Sequence, residues 1–199
     1  MSDYYTEKAE LASSGFDLSI EDCLSESLEI FRKGAAELII YGLINGLLAS
    51  FPMVGIFLGG PLTAGFYEGA WRIRSGMDTE VRDFFKAFDK FLPMFVIHIV
   101  VGLILILGFL LLILPGIFFT IIYLFSYLFV YFGDVPAGEA LRLSRKTVSG
   151  NFGKIFLLCL ALLGINLLGA AAFFVGLLLT IPFSYCVILV AFNRIIGIK

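Results

Sequence analysis

Long apolar runs alternate along this chain with short charged segments in which apolar residues return every three or four positions. The runs are too long, and too free of charge, for the core elements of a soluble domain. They predict helices that cross a membrane. Six are expected, over residues 35–51, 55–72, 93–114, 116–132, 153–175 and 177–194. Pro93 to Leu114 is the clearest, interrupted only by His98. Turns are expected where Pro and Gly gather, at Pro52 to Pro61 and at Pro115–Gly116.

Each pair of runs follows a segment with helical spacing, over residues 19–33, 78–91 and 136–150. The first places Ile20, Cys23, Leu24, Ile30 and Phe31 on one stripe, and Ser19 is placed to cap its start. The second does the same with Val81, Phe84, Phe85, Phe88 and Phe91. A helix with such a stripe and a charged opposite face lies at a membrane interface, or packs against its neighbours. Residues 1–18 are polar and acidic, and a solvated, loosely ordered tail is expected there.

The segments also align with one another. Set in register on Asp17, Asp78 and Asp134, they match Asp22, Asp83 and Glu139, and Leu24, Phe85 and Leu141. Pro61 to Gly76 and Pro182 to Gly197 match in the same way, with Ala70–Trp71 over Ala191–Phe192. Amphipathic helices align easily by chance, so three unrelated hairpins are the alternative. The expected fold is an all-α membrane protein of six transmembrane helices as three hairpins, each preceded by a cytoplasmic amphipathic helix, in a pseudo-threefold repeat. After a tail over 1–18, the repeats occupy 19–76, 77–133 and 134–199 of one membrane domain.

Composition strengthens the membrane assignment. The chain is 60% hydrophobic and 15% charged, with a mean hydropathy of +1.00; soluble domains carry about 25% charged residues. A net charge of −2 and no basic tail leave no sign of nucleic-acid binding. In the hairpin frame all 14 Lys and Arg fall on one side of the membrane, and the three opposite turns, near Pro52–Pro61, Pro115 and Ala170–Gly176, carry no charge. Basic residues are retained inside, so both termini are expected in the cytoplasm, at an inner membrane. The polar start predicts no cleavable signal peptide. Arg142, Arg145 and Lys146 mark the segment where a cytoplasmic or membrane protein partner would meet the chain, with lipid as the other partner.

Candidate chemistry is sparse. Glu37, Tyr41 and Asn45 share one face of the first run, Glu68 lies beside Tyr67, His98 interrupts the third run and Asn166 the fifth. Ionisable groups within spans are a default functional hypothesis. The repeat frame makes Glu37, His98 and Lys154 equivalent, and a ring of the three could hold a proton or small ion. The blander reading is preferred: Lys154 snorkels, Glu37 is interfacial and His98 bonds a neighbouring helix. The pairs Gly42/Gly46, Gly55/Gly59 and Gly65/Gly69 allow close helix contact, within the bundle or between copies in an oligomer. Cys23, Cys159 and Cys186 have no motif spacing and read as small buried hydrophobes. No catalytic set, cofactor motif or metal cluster can be assembled.

The run Leu114-Pro115-Gly116-Ile117, then Ala140-Leu141-x-x-Ser144 and Gly150-Asn151-Phe152, resembles a broad group of prokaryotic multipass membrane proteins. The group includes uncharacterised inner-membrane proteins and the membrane domain attached to some glycerophosphodiester phosphodiesterases. The resemblance covers residues 77–199, with a fainter echo before them. It implies a prokaryotic inner-membrane protein and no particular activity, and without a soluble phosphodiesterase domain that enzymatic function is not expected. The function expected is a non-enzymatic scaffold, regulator or accessory subunit acting through the cytoplasmic helices. A small transporter or channel using the interior is the alternative, and a lipid-modifying enzyme ranks third.

Overall fold

Hydrocarbon offers no water to backbone N–H and C=O groups, so an apolar run in lipid must bond within itself as a helix. The computed structural model, which describes residues 2–172 and 175–198, obeys that rule: no strand occurs among the described residues. The helices are α1 (Ser2–Ser13), α2 (Ile20–Lys33), α3 (Ala35–Ala49), α4 (Pro52–Arg74) and α5 (Val81–Phe84). A 3₁₀ segment, Phe85–Lys90, leads into α6 (Phe91–Leu111). Then come α7 (Ile113–Ile122), α8 (Ser126–Gly133), α9 (Ala137–Gly150), α10 (Phe152–Ala171) and α11 (Leu177–Ile195).

Four stretches are long and apolar enough to cross a membrane: Val81–Leu111, Ile113–Gly133, Phe152–Ala171 and Leu177–Ile195. Their outer faces carry Leu103, Ile106, Leu110, Leu163 and Leu168, all heavily exposed. Such surfaces are stable only against lipid, so the chain is a membrane protein. The first third differs. The helix α3 has 15 residues, about 22 Å at 1.5 Å per residue, against a hydrocarbon core of about 30 Å. The helix α4 has 23 residues and is continuous, but it is diluted by glycine and carries Pro61 within it.

The centre of the molecule is α4. It packs on α3, α6, α8, α11 and the α5–3₁₀ segment, and it is almost continuously buried from Gly60 to Ile73. Small residues make this possible. A Cβ at Gly60 would overlap the Met94 carbonyl oxygen, one at Gly65 the Tyr41 hydroxyl, and one at Gly69 the Phe84 ring. Around α4 the largest fully buried side chains are aromatic: Tyr41, Phe66, Phe84, Phe125, Phe129 and Phe192. Phe66 stacks on Tyr185 with centroids 4.4 Å apart. Of the glycine pairs, Gly59, Gly65 and Gly69 face other helices of the same chain, and Gly42 abuts Pro182, whereas Gly46 faces open space.

Several expectations are corrected. Residues 2–13 are a helix, not a loose tail: Tyr5, Ala9 and Ala12 are buried on one face, which packs on α9. Tyr5 stacks on Phe192 and meets Phe129 edge-on. Burying a ring of that size contributes about 2 kcal/mol toward seating α1 on the bundle. The segment over 78–91 starts at Val81 and tightens into 3₁₀ geometry after one α-turn. Pro52 and the glycines after it form no turn; Pro52 opens α4, where a missing N–H costs nothing.

Pro115–Gly116 likewise lies inside α7, and the return is made one turn earlier by Leu112 in extended geometry. Gly108 and Gly116 then let α6 and α7 close on each other. The expected helix over 116–132 is interrupted between Ile122 and Ser126. The turn expected at Ala170–Gly176 includes residues 173 and 174, which lie outside the described residues.

Candidate functional site

Two polar zones stand out, an ionic rim and a hydroxyl-lined cleft. The rim begins where helices end. Basic residues close α4 and α11, and acidic residues open α2, as the helix dipole favours. Glu26 of α2 takes Arg74 Nε at 2.8 Å on one oxygen and Arg194 NH2 at 2.8 Å on the other. One carboxylate therefore ties α2 to the ends of α4 and α11. Burial works against its charge, yet the two guanidiniums hold the Glu26 carboxyl below the usual range. Lys90 reaches the Tyr131 carbonyl at 2.7 Å and also pairs with Asp134. Lys146 of α9 meets Glu10 of α1 at 3.1 Å.

Backbone demands explain why the amphipathic helices dock where they do. The interruption after Ile122 leaves the Ile122 carbonyl and the Phe125 N–H without helical partners. Ser144 of α9 serves both: its hydroxyl donates to Ile122 O at 2.8 Å and accepts from Phe125 N at 3.2 Å. Deep in an apolar bundle each orphaned group would cost about 1–3 kcal/mol, so α9 holds the broken helix together. Asn151 does similar work for α10, accepting from Lys154 N while donating to the Phe16 carbonyl at 3.0 Å. A Cβ at Gly150 would strike the Ala12 carbonyl oxygen, so that glycine lets α1 and α9 touch.

Each residue singled out from the sequence now has a place. Tyr41 is fully buried and donates to the Leu62 carbonyl at 2.9 Å. Asn45, one turn along α3, is half-buried and makes no side-chain hydrogen bond among the described residues. Glu37 lines a rim cleft of about 400 Å³ with Lys33, Ile73 and the loop over 76–79. Glu68 accepts from the Tyr131 hydroxyl at 3.0 Å and lies 3.9 Å from Arg72.

His98 Nδ1 is 2.9 Å from the Tyr127 hydroxyl, and its ring covers Gly59 and Gly60. Lys154 pairs with Asp17. Glu37, His98 and Lys154 thus have different surroundings, and no hydrogen bond or ion pair joins any two of them. Arg142 pairs with Glu139 on its own helix and Lys146 with Glu10, while Arg145 is exposed with no ion pair among the described residues.

The second zone was missed by sequence reasoning. Thr63 and Tyr67 of α4, Thr120 and Tyr123 of the α7 end, Tyr127 of α8 and Tyr185 of α11 line one cleft of about 230 Å³. The signal was present: Tyr123, Tyr127 and Tyr131 recur every four residues, the spacing that singled out Glu37, Tyr41 and Asn45. Two of the walls carry a proline within a helix, Pro61 in α4 and Pro182 in α11, a third is the break between α7 and α8, and Val101 and Leu105 of α6 complete the lining.

Reactive chemistry is not assembled in either zone. Among the described residues no three His, Cys, Asp or Glu side chains gather as a metal site. The three cysteines are unpaired, and burial pushes the Cys23 thiol up to about 11, away from reactivity. Comparison with known proteins adds no family: no family model, curated protein or solved structure matches the chain, and nothing links it to the membrane domains of glycerophosphodiester phosphodiesterases.

Proposed function

We propose that this protein is a non-enzymatic scaffold, regulator or accessory subunit of an inner membrane that presents its amphipathic helices to a cytoplasmic or membrane protein partner. The observation that carries this reading is the fastening of those helices. Glu26 holds α2 to α4 and α11, and Ser144 holds α9 to the α7–α8 break. Docked helices of this kind keep their outer faces free, and Arg145, Arg142 and Glu29 are exposed there.

In this proposal the chain crosses the membrane six times as three hairpins, α3–α4, α6 with α7–α8, and α10–α11, with both termini in the cytoplasm. The packing of α3 on α4, α6 on α7 and α10 on α11 supports it. So do the left-handed Gly76 and Gly197, which follow α4 and α11 at matching positions of the first and third repeats. The short α3 would be accommodated by local thinning of the bilayer or by its neighbours.

A second reading, transport of a small solute, draws on the broken α7–α8 helix and the proline-bearing α4 and α11 around one cleft, since discontinuous helices recur at transporter sites. The aromatic filling around α4 speaks against an open aqueous path. The deciding experiment places a photocrosslinking residue at position 145 in membranes and measures solute and ion flux in proteoliposomes. A discrete crosslinked partner without flux is the expected result. Saturable flux without any crosslink would overturn the reading.

A further inference from the structure

We propose that the hydroxyl-lined cleft binds the carbonyl-bearing head of an uncharged, membrane-dissolved amphiphile. The inference is independent of the partner surface and concerns a different part of the molecule.

The chemistry of the walls selects the ligand. Tyr67 is only 3% exposed, its ring lies edge-on to Tyr185, and its hydroxyl makes no hydrogen bond among the described residues. A hydroxyl removed from water is costly unless an acceptor meets it. Here it borders a cleft that also presents Tyr123, Tyr185 and Thr63. Thr63 bonds Tyr185, which leaves the hydroxyls of Tyr67, Tyr123 and Tyr185 as donors in one place, and a carbonyl oxygen with two lone pairs can take two of them. No Lys, Arg, Asp or Glu lines the cleft. An anionic headgroup would therefore lose its hydration with no opposite charge in return, which excludes a phosphate head.

Access and size agree. Thr120 at the edge is exposed, and so are Ile117 and Phe118 beside it on α7, residues that only lipid would cover. The cleft is therefore entered from the bilayer. A volume of about 230 Å³ holds a headgroup and not a whole lipid, so the tail stays among the acyl chains. Irregular backbone at membrane depth is tolerated where it borders a cavity, and the break between α7 and α8 places Tyr123 and Leu124 directly on this one. Carbonyls of this kind come from two sources, the esters of a diacylglycerol or the ring of a quinone.

The test uses the full chain in phosphatidylcholine nanodiscs with a photoactivatable diacylglycerol in one arm and a photoactivatable quinone in the other. Saturable labelling on residues of α4, α7 or α11 by one probe, competed by its unlabelled parent, is expected. Tyr67→Phe keeps the ring and removes the hydroxyl, and should lower that labelling about five- to tenfold, the effect of one hydrogen bond. Leu163→Ala, on the exposed face of α10, should label like the wild type. Unchanged helical content and melting temperature establish that Tyr67→Phe is folded; should it not fold, Tyr123→Phe is read in its place. Absence of saturable labelling in both arms, full labelling of the hydroxyl-deficient variant, or equal competition by anionic phosphatidylglycerol would each overturn the proposal.

Discussion

The helices α4 and α6 lie side by side, and they invert the rule that the most hydrophobic element belongs at the centre. The helix α6 is an almost unbroken run of aliphatic residues, yet Leu103, Ile106, Leu107 and Leu110 point away from the protein. The helix α4, diluted by Gly59, Gly60, Gly65, Gly69 and Pro61, is the hub on which most of the other elements pack. In lipid a leucine gains nothing by moving from acyl chains to protein, so hydrophobicity does not sort helices. Close backbone approach does, because it raises van der Waals contact and admits large rings from the neighbours. The glycines of α4 accept Met94, Tyr41 and Phe84 in this way.

The contrast is sharpest at matched substitutions. Gly60→Val drives a side chain into the Met94 backbone, which cannot move aside as a flexible side chain would. A destabilisation of about 3 kcal/mol is expected, read as a large fall in melting temperature in detergent. Ile106→Ala, which removes far more apolar surface from the lipid face of α6, should stay within about 0.5 kcal/mol of wild type. Equal effects at the two sites would break the comparison.

Ser144→Ala comes next. It orphans the Ile122 carbonyl and the Phe125 N–H together, each costing about 1 kcal/mol or more, so about 2–3 kcal/mol is expected. Hydrogen exchange should show α8 opening more readily than α6, since the backbone groups that Ser144 serves belong to the α7–α8 break and not to α6.

The smallest effect belongs to the rim. The carboxyl of Glu26 is held below its ordinary value, so in the folded protein it stays charged to lower pH than in the unfolded chain. Its stabilisation is fully present above the unfolded value of about 4.3 and is lost as pH falls through the depressed folded value. Solvent reaches this carboxylate, and the amount is under about 1 kcal/mol. Glu26→Gln should remove that part of the acid slope of stability, while the same substitution at Glu29, which has no ion pair among the described residues, should leave the slope intact.

How much of this was legible follows from which signals are local. The stripe over 19–33 and the cap by Ser19 appear in the structure as α2, with Ser19 accepting from Asp22 N at 3.2 Å. The stripe over 136–150 appears as α9. The motif residues Gly116, Ser144, Gly150 and Asn151 could be noticed as a pattern, but not as the pieces that seat helices on one another. The helix α1 escaped notice because two of its three buried positions are alanines, too small to form an apolar stripe. The return near Pro115 was placed a turn late because proline marks a helix start as readily as a turn. The tyrosine-lined cleft was legible only in part, since its walls come from distant runs.

By itself the sequence determined that the chain is helical and lives in lipid. Both depend on local quantities, the length of apolar runs and the need of each backbone group for a partner in its own segment. It also determined which segments are amphipathic, since periodicity is a property of a few turns. That glycine-rich α4 and not α6 is the hub, and that Glu37, His98 and Lys154 lie in different surroundings, follows from packing in the tertiary structure alone. Only there do Thr63, Tyr67, Thr120, Tyr123, Tyr127 and Tyr185 share one cleft. The reason is physical: lipid is as good a solvent for leucine as another helix, so which faces meet is set by shape and hydrogen bonding across distant segments, and neither is written in any one of them.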